Sequence, residues 1–133
     1  MRMLVVIPTQ LELELFLQAC RDLGHQAEAS AAGRLSIHWF PALDMAVAHG
    51  GLGKTQFAVQ TQHLIDAFAS DWVLCAGAAG ALVERLNVGD VVIATETIEH
   101  DIRNHFVQPM LPRFAGAAII LERGRQCLPF ADD

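Results

Sequence analysis

The 133-residue chain predicts an α/β layered domain with a largely parallel sheet. Three observations point there. Short apolar runs at residues 3–7 (MLVVI), 45–49 (MAVAH) and 72–76 (WVLCA) alternate with stretches of helical period. A strand covered on both faces need not alternate apolar and polar residues, so uninterrupted runs of this length fit a buried sheet. The glycine-rich turns follow strands, which is where open α/β sheets place their ligands.

Taken in order, residues 3–7 form a first strand ended by Pro8 and Thr9. Residues 12–23 carry Leu13, Phe16, Leu17 and Cys20 at helical spacing, and Gly24 supplies the stop. Residues 26–32 are small and polar, a strand edge and turn. Residues 34–40 (RLSIHWF) and 45–49 are strands joined by a turn at Pro41-Ala42-Leu43-Asp44. After the glycines at 50, 51 and 53, residues 54–68 make a long helix with Phe57, Leu64, Ile65 and Phe68 inward. The strand at 72–76 runs into the small-residue stretch 77–81. Val88-Gly89-Asp90 is a turn that opens a further strand at 91–95 (VVIAT). Pro109 and Pro112 interrupt the tail, and residues 115–121 (AGAAIIL) read as a last strand. No linker, repeat or low-complexity tract divides the chain, so residues 1–133 read as one domain.

Composition narrows the function classes. With 53% hydrophobic and 18% charged residues the chain has core material and is not globally disordered. Nine basic against fifteen acidic residues leave a net charge of −6, and Lys54 is the single lysine. That balance argues against nucleic-acid binding through a basic patch. No apolar run reaches the roughly 18–20 residues of a membrane helix, and MRMLVVIPTQLELE lacks a signal-peptide layout. A soluble protein without a membrane partner is expected. Cys20, Cys75 and Cys127 are odd in number and widely spaced, fitting neither a disulfide framework nor a zinc ligand set. A reducing cytoplasm is the default.

Four groups carry possible chemistry. Ala48-His49-Gly50-Gly51-Leu52-Gly53-Lys54-Thr55 satisfies a loose phosphate-loop pattern between a strand and a helix, with main-chain N–H groups and Lys54 as phosphate donors. Against it, the first position is alanine, and the following strand ends without a magnesium-binding aspartate. A tight strand-to-helix turn is the plainer reading. Cys75-Ala76-Gly77-Ala78-Ala79-Gly80-Ala81 lets a ligand approach the main chain, although small residues serve close helix–sheet packing equally. Glu12 and Glu14 follow the first strand. Glu12 lies at a helix start, favoured there by the dipole whether or not it acts as a general base. His100-Asp101, with His105 nearby, is a possible acid/base or metal cluster, though sequence neighbours on a loop make poor joint ligands.

In this order the segments VVIPTQLELELFL, GGLGKTQFAVQTQHLI, WVLCAGAAGAL and LNVGDVVIATETIEHD resemble the purine nucleoside phosphorylase and hydrolase superfamily. Within it they are most similar to the methylthioadenosine/S-adenosylhomocysteine nucleosidases, over nearly all of residues 1–114. The resemblance implies a three-layer α/β/α fold with a central mixed, partly barrelled sheet. It implies a homodimer or larger homo-oligomer, a small-molecule purine nucleoside as substrate, and neither metal nor organic cofactor. Glu12 matches the carboxylate that activates water, and Leu52 an apolar residue lining the ribose site, which turns the apparent phosphate loop into a pocket wall. Ala78, Ala79 and Gly80 match the segment over the sugar and the attacking water. His100 and Asp101 match a His-Asp pair in the loop after the Val-Gly-Asp strand. Phe106 and Pro112 resemble residues lent across a dimer interface to the neighbour's alkylthio pocket.

The chain also departs from that pattern. Ala78 stands where nucleosidases commonly carry a serine that helps hold the water. Thr9 replaces a larger apolar residue near the sugar, with consequences for the 5′ substituent. Relatives continue for about as many residues again, supplying a ribose-gripping glutamate and a purine-protonating aspartate that nothing in GRGRQCLPFADD matches. The leading expectation is therefore the water-activating half, apparently truncated, of a purine nucleoside N-ribosyl hydrolase. Its rivals are a phosphorylase, for which Arg34, Arg85 and Arg103 are the internal phosphate candidates, and a futalosine-type hydrolase. A rival of another class is a catalytically incomplete chain that associates with itself or a partner through exposed strand edges.

Overall fold

The computed structural model describes residues 1–101 and 111–127. They fall into two compact units, Met1–Gly80 and Ala81–Asp133. In the first, β1 (Met3–Ile7), β2 (Glu28–Ala32), β3 (Leu35–Phe40), β4 (Met45–His49) and β5 (Trp72–Cys75) form one sheet in the order β2-β3-β4-β1-β5. Two helices accompany it, α1 (Gln10–Asp22) and α2 (Lys54–Phe68).

The strand β1 is an inner strand, between β4 and β5, and Leu4, Val5, Val6 and Ile7 are fully buried. Because side chains alternate along a strand, each of its faces carries its own cluster. Val5 and Ile7 pack with Phe40, Met45 and Val47 and with Leu13, Leu17 and Cys20 of α1. Leu4 and Val6 pack with Ile37, Ala46 and Ala48 and with Leu64 of α2. One helix on each face of the sheet gives the three α/β/α layers. Phe57, Ile65 and Phe68 flank the second cluster, as their spacing along α2 requires.

The sheet is mixed rather than largely parallel. β1 runs parallel to β4 and β5, whereas β2–β3 and β3–β4 are antiparallel. Connection length decides this: only the 3-10 turn Pro41–Leu43 links β3 to β4, and Gly33-Arg34 link β2 to β3. Links so short return a strand antiparallel, while parallel neighbours need a long crossover. The α1 helix begins at Gln10, two residues ahead of the apolar periodicity, because Thr9 caps it.

The second unit corrects two strand expectations. Residues 91–95 form no strand. Val91 and Val92 are 71% and 67% exposed, and apolar content without a ladder partner does not make a strand. Pairing starts beyond them, where β6 (Glu96–Ile98) and β7 (Arg113–Ala115) form an antiparallel pair with an Arg113–Glu96 ion pair. Residues 115–121 are likewise not one strand. Their beginning closes β7, and residues from 118 onward enter α3 (Ala118–Cys127). A seven-residue apolar run cannot separate strand from helix by period, and Leu121, Glu122 and Arg123 at and after its end are strong helix formers. Among the described residues no helix is long and apolar enough to cross a membrane.

Candidate active site

Since β4, β1 and β5 are adjacent and parallel, their carboxyl ends lie along one edge of the sheet. The segments leaving that edge are Pro8-Thr9, residues 50–53 and residues 76–80. Main-chain bonds carry the pairing past the strand ends: Gly50 N–H donates to Ile7 O at 2.8 Å and Ala76 N–H to Val6 O at 3.1 Å. Nε2 of His49 lies 3.0 Å from Pro8 O. A carbonyl only accepts, so this nitrogen carries the ring proton and ties β4 to the β1–α1 turn.

Thr9 is the extended N-cap of α1 (φ −119°, ψ 154°), and Glu12 is the third helical residue. The two form a capping box. Glu12 N–H donates to Thr9 Oγ1 at 3.3 Å, while Thr9 N–H and Thr9 Oγ1–H donate to Glu12 Oε2 at 3.0 and 2.5 Å. The other carboxylate oxygen, Oε1, accepts from Ala78 N–H at 2.6 Å. Gly77 makes that approach possible. A Cβ there would lie 3.1 Å from Pro8 Cδ and 3.2 Å from Glu12 Oε1, tighter than side chains normally pack.

These donors set the charge of the site. The Thr9 hydroxyl, then the Ala78 amide, hold the Glu12 carboxyl below its ordinary value, against a smaller opposing effect of desolvation. The first helical turn favours the same negative charge. At the end of β5, desolvation and then the charge of Glu12 push the Cys75 thiol up. The carboxylate adjoins a recess of about 260 Å³ lined by Ile7, Leu15, Phe16 and residues 76–78. An ionised carboxylate, fixed at both oxygens beside an apolar recess, is equipped to accept a proton from a bound water.

The structure therefore joins three of the sequence-predicted residues, Thr9, Glu12 and Ala78. Ala79 and Gly80 follow directly and are exposed. Leu52, 73% exposed, lines a separate recess of about 580 Å³ with residues 53–56, Val59 and Gln60. The glycine-rich turn there is demanding in conformation, with Gly51 and Gly53 at φ +83° and +85°, while Ala48 is buried within β4. Glu14 points away from Glu12's partners and accepts instead from Gln10 Nε2 on the surface of α1. His100 and Asp101 are exposed at a turn, and His105 and Phe106 lie outside the described residues. No group of three or more metal-ligating side chains gathers among the described residues. Pro112 is half-buried and its carbonyl accepts from Glu99 N–H at 3.0 Å. The role of Thr9 as the cap that holds Glu12 is what the sequence reading missed. Its signal was present as Thr9-Gln10-Leu11-Glu12, the T-x-x-E signature of a capping box.

The sequence profile of the phosphorylase superfamily matches residues 2–122. A 5'-methylthioadenosine/S-adenosylhomocysteine nucleosidase of Geobacillus sp. (strain WCH70) is 41% identical over 59 residues, which are 44% of this chain and 25% of that protein. The Neisseria meningitidis nucleosidase of the same name, solved in complex with methylthio-immucillin-A, is similar with a TM-score of 0.73 and 34% identity. That match covers 95% of this chain and 57% of the other. The native futalosine hydrolase of Helicobacter pylori strain 26695 is similar in fold, with a TM-score of 0.74 at 21% identity over 94% and 58% of the two chains. The chain thus spans a little over half the length of these solved relatives. A three-layer unit with its polar site at the strand ends, and a profile match running through both units, lead to one conclusion: the chain belongs to the phosphorylase superfamily.

Proposed function

We propose that the protein hydrolyses the N-glycosidic bond of a purine nucleoside of the methylthioadenosine/S-adenosylhomocysteine type, with Glu12 as the base that activates water. The observation that carries this reading is the Glu12 carboxylate itself, ionised and gripped by Thr9 and Ala78 at the sheet edge. The nucleosidase identity of the 34% identical structure, bound to methylthio-immucillin-A, supports the substrate class.

The chemistry asks for such a group. As the C–N bond lengthens the ribose becomes oxocarbenium-like, and water must attack the face opposite the departing base. Glu12 takes one proton from that water, the remaining hydroxyl bonds to the anomeric carbon, and the purine leaves with the bonding pair and takes a proton from solvent. Because the carboxylate is held by three donors, its orientation is set before substrate arrives. In the same reading Thr9 and Leu52 border the sugar, Ala78, Ala79 and Gly80 pass over it, and Phe106 and Pro112 serve a neighbouring subunit's pocket in a homodimer or larger assembly. We read the two units as parts of one partial domain, since a single family match crosses both. We assign the protein to the cytoplasm on its three free thiols, Cys20, Cys75 and Cys127.

The test is incubation of the purified protein with methylthioadenosine, with and without phosphate. Adenine release independent of phosphate is the expected result. Release that strictly required phosphate would replace hydrolysis by phosphorolysis, and no release with either would remove the nucleosidase reading.

A further inference from the structure

We propose that Thr9 is a positioning residue for Glu12, holding Oε2 from one side so that the carboxylate keeps a single open acceptor direction for water. The inference rests on the reading of Glu12 as the base and deepens it. A carboxylate offers about four lone-pair sites. Thr9 N–H and Thr9 Oγ1–H occupy two on Oε2, and Ala78 N–H occupies one on Oε1. One site remains. The group is thereby aimed as well as charged, and the residue three positions upstream decides which way it aims.

Thr9 is suited to this by its two-way hydroxyl. Oγ1 accepts from Glu12 N–H and donates to Glu12 Oε2, so the oxygen that starts the helix also orients the side chain three residues on. An apolar residue at position 9 would keep the main-chain N–H bond and lose both hydroxyl bonds. The carboxylate would then regain a free lone pair on Oε2 and the rotational freedom to use it. Serine supplies the same hydroxyl without the methyl group.

The neighbouring groups that bear on Glu12 are few. The Thr9 hydroxyl lowers its proton affinity most, followed by the Ala78 amide. Cys75, facing it from β5, has its thiol pushed up and stays neutral where carboxylates titrate. His49 on β4 is engaged with Pro8 O, and Glu14 on the same helix bonds Gln10.

The experiment is a ¹³C NMR titration of the Glu12 side-chain carboxyl in the wild-type chain and in Thr9→Val, Thr9→Ala and Thr9→Ser, with amide spectra to report the fold. Wild type and Thr9→Ser should titrate together, below the ordinary carboxylate range, and Thr9→Val and Thr9→Ala should titrate higher. If Thr9→Val and Thr9→Ala titrate with wild type in a folded chain, the proposal is overturned. If those two do not fold, Thr9→Ser decides: it supports the proposal by matching wild type and overturns it by titrating higher. This readout needs no turnover, so it stands apart from the adenine-release assay. A failed assay with a normal titration pattern removes the nucleosidase reading alone.

Discussion

The main-chain N–H of Ala78 donates to Glu12 Oε1 at 2.6 Å across 66 positions of sequence. One partner lies just beyond β5 and the other in the first turn of α1, so only the assembled sheet brings them together. The site is a product of tertiary structure, and mutation can address its parts separately.

Glu12→Gln should separate base from cap. Glutamine at the third helical position can still accept from Thr9 N–H through its one oxygen, but its NH2 then faces the Ala78 donor, so the variant should melt somewhat below wild type. It cannot take a proton from water, and adenine release should fall by roughly 10²–10⁴-fold. Glu12→Ala loses both functions and should melt lower still. Calorimetry beside steady-state assays distinguishes the two variants; a Glu12→Gln enzyme of undiminished rate would remove Glu12 from the chemistry.

Acid should weaken the fold partly through Glu12. Its folded carboxyl titrates below the ordinary value of 4.5, through the Thr9 hydroxyl first and the Ala78 amide second. As pH drops the unfolded chain is protonated before the folded one. The contribution is therefore complete above about pH 4.5 and is lost as pH falls through the folded value. Denaturant midpoints measured across this window should slope less in Glu12→Gln than in wild type. Some slope will survive in the variant from Asp44. Desolvation pushes Asp44 up, but its bonds to the N-terminal amine and Arg2 outweigh that and leave it lowered.

Gly77→Ala and Gly80→Ala form a matched pair. The first inserts a methyl group 3.1 Å from Pro8 Cδ and 3.2 Å from Glu12 Oε1, whereas the second meets nothing within 4 Å. Gly77→Ala should cost about 1–3 kcal/mol by overpacking and should disturb Glu12 at the same time. Gly80→Ala should change stability by less than about 0.5 kcal/mol. Urea unfolding of both proteins gives the comparison, and equal midpoints would contradict it.

Two leucines should report different things. Leu64 is fully buried between α2 and the sheet, and Leu64→Ala should lose about 2–5 kcal/mol. Leu52 is mostly exposed, so Leu52→Ala should stay within about 0.5 kcal/mol of wild type in stability. If Leu52 borders the ribose, its loss raises KM severalfold without changing the melting temperature. An unchanged KM would take it out of the pocket.

The parts of the fold legible in the sequence were those in which local pattern and burial agree. Residues 54–68 read as helix and are helix to the residue, and the runs at 3–7 and 45–49 are strands with the expected limits. Residues 91–95 and 115–121 misled because apolar content alone cannot report whether a ladder partner exists. Glu12 stood out through its place after the first strand and through family resemblance. What holds it was half legible: Thr9 announces itself three residues upstream, while Ala78 is 66 residues away and no local rule connects them.

The placing of β1 and β5 sets two different clocks around the site. β1 is laddered on both sides, so its amides should exchange with solvent only when the whole unit opens. Thr9 and Glu12 lie two and five residues beyond its carboxyl end. Among the described residues β5 ends the sheet with a ladder on one side only. Local fluctuations should release its end first, letting the Ala78 amide leave Oε1 while Thr9 still holds Oε2. One half of the carboxylate's grip is thus local to the first turn of α1, beside the inner strand, and the other breathes with the sheet edge.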